Sequence, residues 1–121
     1  MFCECSSLRN VSGLSGWDTS SVTDMRGMFS RCSSLSDVSG LSGWDTSSVT
    51  DMTVMFDGCS LSDVSPLSGW DTSSVTDMIQ MFRDCSSLSD ATPLEGWEVS
   101  SSADKSDAFP DGCRAPSWYA A

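Results

Sequence analysis

The decapeptide GWDTSSVTDM occurs at Gly16–Met25, Gly43–Met52 and Gly69–Met78 without a single substitution. Exact copies at a nearly fixed period constrain a chain strongly, because each copy buries its apolar face only by stacking on its neighbours. Aligned on tryptophan, the units place Trp17, Trp44, Trp70 and Trp97 at intervals of 27, 26 and 27 residues. Phenylalanine follows each of them twelve positions later, at Phe29, Phe56, Phe82 and Phe109. A cysteine column accompanies them: Cys5, Cys32, Cys59, Cys85 and Cys113. The one short interval traces to a missing serine, since Cys59-Ser60-Leu61 replaces the Cys-Ser-Ser-Leu of the other units.

These columns divide the chain into a repeat array, 1–113, and a short tail, 113–121. Within the array lie a partial unit (1–4), three full units (5–31, 32–58 and 59–84) and a degenerate unit (85–112). The last keeps Leu94, Trp97 and Phe109 but loses the Asp-Thr-Ser-Ser run, which marks a capping repeat. Met1-Phe2-Cys3-Glu4-Cys5 aligns with Met28-Phe29-Ser30-Arg31-Cys32, so the chain opens in mid-repeat and reads as a segment of a longer array.

Within a unit the apolar residues fall at Leu8, Val11, Leu14 and Trp17, then at Val22, Met25, Met28 and Phe29. A spacing of three matches neither a long amphipathic helix nor an alternating strand. It predicts short extended pieces joined by corners, one circuit per unit, with a short helical or 3-10 segment around Asp24–Ser33. Gly13, Gly40, Pro66 and Pro93 form one corner column, and Gly16, Gly43, Gly69 and Gly96 another. The expected fold is a repeat solenoid of short β-strands and turns, with about four stacked units.

A formal net charge of −11 and a single lysine, Lys105, argue against a nucleic-acid or anionic-membrane surface. No run is apolar enough to span a membrane, and the first residues lack the basic and apolar regions of a signal peptide. Six cysteines in 121 residues suit an oxidising, extracellular setting. With no histidine, no phosphate-binding loop and no nucleophile–base motif, the chain reads as non-catalytic.

Three polar columns stand out. Asp18, Asp45 and Asp71 form one, Asp24, Asp51 and Asp77 a second, and Asp37, Asp63 and Asp90 a third. Carboxylates one strand spacing apart, ~4.8 Å, repel by roughly 0.8 kcal/mol in water and about 3–4 kcal/mol at an effective dielectric near 20. Either Ca²⁺ offsets this, with oxygen ligands from successive units, or each Asp accepts hydrogen bonds from its own turn while its charge stays solvated. The glycine-rich Asp-x-Asp calcium loop is missing, which favours the turn reading and leaves no metal site or cofactor assigned.

Thr19, Thr46 and Thr72, with Thr23, Thr50 and Thr76, read as exposed threonine ladders. Such ladders invite an ice- or ion-ordering role, although the two sets lie four residues apart with Asp between them. On this reading Thr46→Ala is nearly silent, whereas Trp44→Ala removes a core column member. The cysteines admit either a ladder of buried thiols or vertical disulfides between adjacent units, Cys3 taking the odd one. Asn10-Val11-Ser12 is an N-glycosylation sequon, with Asn10 in the column that otherwise holds Asp37, Asp63 and Asp90.

The unit CSSLSDVSGLSGWDTSSVTDMTVMF, beginning at Cys32, resembles the roughly 26-residue repeat of BspA-like leucine-rich-repeat surface proteins. The resemblance covers residues 1 to about 113. It departs from the family's Leu-x-x-Leu-x-Leu pattern at Leu35-Ser-Asp-Val38-Ser-Gly-Leu41. It implies a leucine-rich-repeat-like solenoid displayed at the cell surface and used for adhesion, binding other surface proteins or glycans. A second expectation is a structural subunit that assembles end to end with copies of itself into an extracellular fibre or coat. Ca²⁺ or ice binding comes third.

Overall fold

The structure, a computed structural model, describes residues 6–119. Its backbone follows the spacing of three directly. Leu14 N–H donates to Val11 O, Trp17 to Leu14, Val22 to Thr19, Met28 to Met25, Cys32 to Phe29 and Leu35 to Cys32, each at 2.9–3.2 Å. Every one of these bonds spans three residues, so each unit is a chain of consecutive single turns with an apolar side chain at each corner. The pattern repeats in the following units, from Leu41 N–H to Val38 O through Trp97 N–H to Leu94 O.

This overturns the expected strand-and-turn solenoid of leucine-rich-repeat type. Among the described residues there is no β-strand and no α-helix. The regular elements are five short 3-10 turns at Ser12–Leu14, Ser39–Leu41, Ser65–Leu67, Thr92–Gly96 and Ser117–Tyr119. The region around Asp24–Ser33 is likewise a run of turns.

Strands fail because of where the backbone N–H groups go and which φ values the chain takes. Along 25–32 the N–H groups alternate in destination. Those of Met25, Gly27, Phe29 and Arg31 donate to Asp51, Thr53, Met55 and Asp57 of the next unit, while Met28, Ser30 and Cys32 donate back within their own. Gly27 and Arg31 stand at φ 65° and 61°, in the left-handed region, and the same two places recur as Val54 with Gly58 and as Gln80 with Asp84. A strand sends its hydrogen bonds only sideways and keeps φ negative. What remains of a sheet is isolated parallel bridges: Asp24 to Asp51, Asp51 to Asp77, Asp77 to Asp104, Asn10 to Asp37 and Asp90 to Arg114.

Stacked turns still bury a core. Phe29, Phe56 and Phe82 are fully buried and form a pile with centroids 5.6 and 5.5 Å apart, continued to Phe109 at 5.4 Å. The indoles pile alongside. Trp44, Trp70 and Trp97 are buried, near-parallel at 6.5 and 6.4 Å, and each donates its Nε1–H to a leucine carbonyl of the unit before, Leu14, Leu41 or Leu67. Trp17 departs from the core ladder assigned to it. It stacks on Trp44 at 6.3 Å yet is 42% exposed.

A residue outside the repeat extends the indole pile. Trp118 stacks on Trp97 at 6.0 Å and donates Nε1–H to Leu94 O at 2.9 Å, taking the next place in the tryptophan column. Tyr119 meets Phe109 edge-on at 5.0 Å, and Pro116 is buried. Ser117 N–H, at 2.9 Å, and its hydroxyl both donate to the Glu95 carboxylate.

Candidate binding face

The Asp-Thr-Ser-Ser corner turns each polar group in a definite direction. Asp18 Oδ1 accepts from Ser20 N–H at 3.0 Å and from its hydroxyl at 2.6 Å. Asp45 with Ser47 and Asp71 with Ser73 repeat that arrangement. All three carboxylates are exposed. Asp37 and Asp63 bind the backbone N–H of Ser39 and Ser65 at 2.9 Å, and Asp90 that of Thr92. In the remaining column Asp24 and Asp51 accept from Arg26 and Thr53 N–H, both at 2.9 Å. Asp51 and Asp77 are half-buried, and Asp77 Oδ1 lacks a hydrogen-bond partner. Nearly every acidic corner is therefore a local turn that uses one carboxylate oxygen and leaves the charge facing water.

Those bonds favour the ionised form. The Ser20 hydroxyl and N–H hold the Asp18 carboxyl below its ordinary range, and Asp45, Asp63 and Asp71 are lowered in the same way. In Asp45 the neighbouring Asp71 and Asp18 charges oppose the shift but are smaller causes. Asp37, Asp90 and Asp104 are lowered by their own turn partners. A carboxyl with a depressed folded value stabilises fully above its unfolded value, here 3.8, and loses that contribution as pH falls toward the folded one. The unfolding temperature is expected to be flat from neutral pH to about 5 and to drop below about 4. Thermal melts across that range check it, and a melt unchanged at pH 3 would mean the turn bonds contribute nothing to stability.

The threonines divide. Thr23, Thr50 and Thr76 are exposed, and Thr50 and Thr76 donate their hydroxyls to Thr23 O and Thr50 O at 3.2 Å. Thr19, Thr46 and Thr72 are not an exposed ladder: they are 5%, 1% and 1% exposed. Their hydroxyls reach across to the next unit, Thr19 to Asp45 O and Thr46 to Asp71 O at 3.0 Å, and Thr72 to Glu98 O at 3.4 Å. The column turns inward because the preceding Asp anchors the corner outside. Thr46→Ala is thus expected to cost about 1–2 kcal/mol, against about 0.5 kcal/mol or less for Thr50→Ala. Equal denaturation midpoints for the two variants would contradict this division.

Cys32, Cys59 and Cys85 are buried in one column and Cys113 is half-buried; Cys5 lies outside the described residues. Cys59 and Cys85 carry free thiols, which donate to Phe29 O at 3.1 Å and Phe56 O at 3.0 Å. Burial pushes the Cys85 thiol up to about 12 and the Cys59 thiol well above its ordinary value, so neither is an accessible thiolate. Among the described residues no group of three or more His, Cys, Asp or Glu is placed to hold a metal ion. Asn10 is exposed, and its Oδ1 accepts from Ser12 N–H at 3.3 Å and from the Ser12 hydroxyl at 3.1 Å. No helix among the described residues is long and apolar enough to cross a membrane.

Copied turns stacked in register, with a periodic acidic exterior, define a tandem-repeat protein. The chain belongs to the family described as "Mycoplasma protein of unknown function, DUF285", which matches residues 1–116. Comparisons with curated proteins and with solved structures each return no match.

Proposed function

We propose that this chain is a non-catalytic module displayed outside the cell that binds a surface protein or glycan along the side of its stack. The observation that carries this reading is the triplicate corner: Asp18, Asp45 and Asp71 present the same ionised carboxylate, in the same turn, once per unit. Each exposed contact alone is weak, but a partner with regularly spaced cationic or hydroxyl groups meets several at once, and linked contacts multiply. The resemblance of the unit to BspA-like surface proteins supports the cell-surface setting.

The test uses the purified chain on a panel of glycans and basic extracellular proteins. Replacing Asp18, Asp45 and Asp71 together with Asn keeps each turn's acceptor oxygen and removes its charge. Binding is expected to fall at least about tenfold in the triple variant and little in any single one. A triple variant that binds as the native chain does would exclude this face.

A further inference from the structure

Asn10 is the one asparagine of the chain, in a column that otherwise holds Asp37, Asp63 and Asp90, and it opens the sequon Asn10-Val11-Ser12. Its turn is the one the aspartates make. Asn10 Oδ1 accepts from Ser12 N–H at 3.3 Å, as Asp37 and Asp63 Oδ1 accept from Ser39 and Ser65 N–H at 2.9 Å. The Ser12 hydroxyl adds a second bond to the same oxygen at 3.1 Å. One oxygen therefore makes the whole turn. Nδ2, standing where an aspartate has its second oxygen, makes no hydrogen bond among the described residues. The surroundings leave that nitrogen room. Arg9, Asn10, Ser12 and Gly13 are exposed, while Val11 between them is buried and anchors the corner. The exposure belongs to the column and not to one unit, since Asp37 and Asp63 inside the stack are exposed as well.

We propose that Asn10 is an N-glycosylation site that carries an oligosaccharide on Nδ2. The inference rests on the proposed display of the chain outside the cell, because the donor, a lipid-pyrophosphate-linked oligosaccharide, is met on the secretory route. In the transfer Nδ2 bonds to the anomeric carbon of the first sugar. The bond from that carbon to the pyrophosphate oxygen breaks, the lipid pyrophosphate leaves with the electron pair, and Nδ2 gives up one of its two protons. The product keeps Oδ1, so both bonds from Ser12 survive and the glycan extends from open surface, where its bulk and hydration are tolerated. Asp37, Asp63 and Asp90 have no amide nitrogen to offer. A single glycan thus marks one unit of an otherwise copied array.

The full chain, expressed behind a cleavable secretory leader in a eukaryotic cell, tests this through the mass of the secreted product. One added oligosaccharide is expected, removed by a peptide N-glycanase. It is expected to be lost in Asn10→Gln and in Ser12→Ala, and kept in Ser12→Thr, which retains the hydroxyl. The glycan-bearing chain is expected to melt no lower than the enzyme-treated one, since no bond of the turn is given up. A secreted chain without the glycan overturns the proposal, as does a glycan that survives Ser12→Ala or one that lowers the melting temperature. Partner binding through Asp18, Asp45 and Asp71 is measured on chain made without glycan, so either proposal can fail while the other stands.

Discussion

Trp70→Ala is expected to lower the unfolding free energy by about 3–5 kcal/mol. Trp70 is 3% exposed and sits between Trp44 and Trp97 at 6.5 and 6.4 Å, with Phe56 tilted against it at 6.3 Å. Removing it opens a void bounded by aromatic rings from the units on either side, and the neighbouring turns hold those units apart. The indole N–H bond to Leu41 O, 2.9 Å, goes with it, while Leu41 O keeps the backbone N–H of Trp44 at 3.1 Å. Against a domain stability of roughly 5–15 kcal/mol, such a loss takes a marginal stack to its threshold. Equilibrium denaturation measures it; a loss below about 1 kcal/mol would mean the indole pile is not cohesive.

Gly40→Ala is the second large effect, and it acts by crowding. A Cβ on Gly40 would lie 2.4 Å from Val11 O and 2.8 Å from Ser12 Cα, both backbone atoms of the unit before. Neither can swing aside as a side chain would. The first two units are pinned together at this edge by the Asn10–Asp37 bridge and by Ser36 and Asp37 N–H donating to Arg9 O. Alanine must therefore break those bonds or shift the 3-10 turn at Ser39–Leu41, at about 1–3 kcal/mol. Gly43→Ala, where the added Cβ meets nothing within 4 Å, is the matched control. Equal melting temperatures for the two variants would show that the edge is loose.

The same edge shows how far the copied letters could be read. Column membership was legible from Trp17, Phe29 and Cys32 onward, because identical units stacked in sequence order leave each residue one place to go. The missing serine near Cys59 was legible as well, but its consequence was not. Asp63, in its unit, makes no bridge to Asp37 or Asp90, and Pro66 stands where Gly40 stood. Spacing says that a unit is shorter without saying which contact lets go.

The threonines mark a second boundary. Thr46 and Thr50 lie in the same decapeptide, are the same residue type, and read alike as polar corner residues. Thr46 is buried because Asp45 takes the outer side of the corner and a carbonyl of the next unit, Asp71 O, waits inside. That acceptor is 25 residues away, beyond any local rule. The strand expectation failed for a related reason: the left-handed places at 31, 54, 80 and 84 hold Arg, Val, Gln and Asp, side chains that do not announce positive φ.

By itself the sequence determined the period, the columns and the acidic corners, since these follow from copying and from short-range bonds between residues two or three apart. Only the tertiary structure decided between strands and turns, which threonine column faces inward, that Trp118 extends the indole pile, and that Trp17 is more exposed than the rest of its column. Each of those depends on which partner a neighbouring unit offers across the stack, and that partner is set by packing over 20 or more residues of chain.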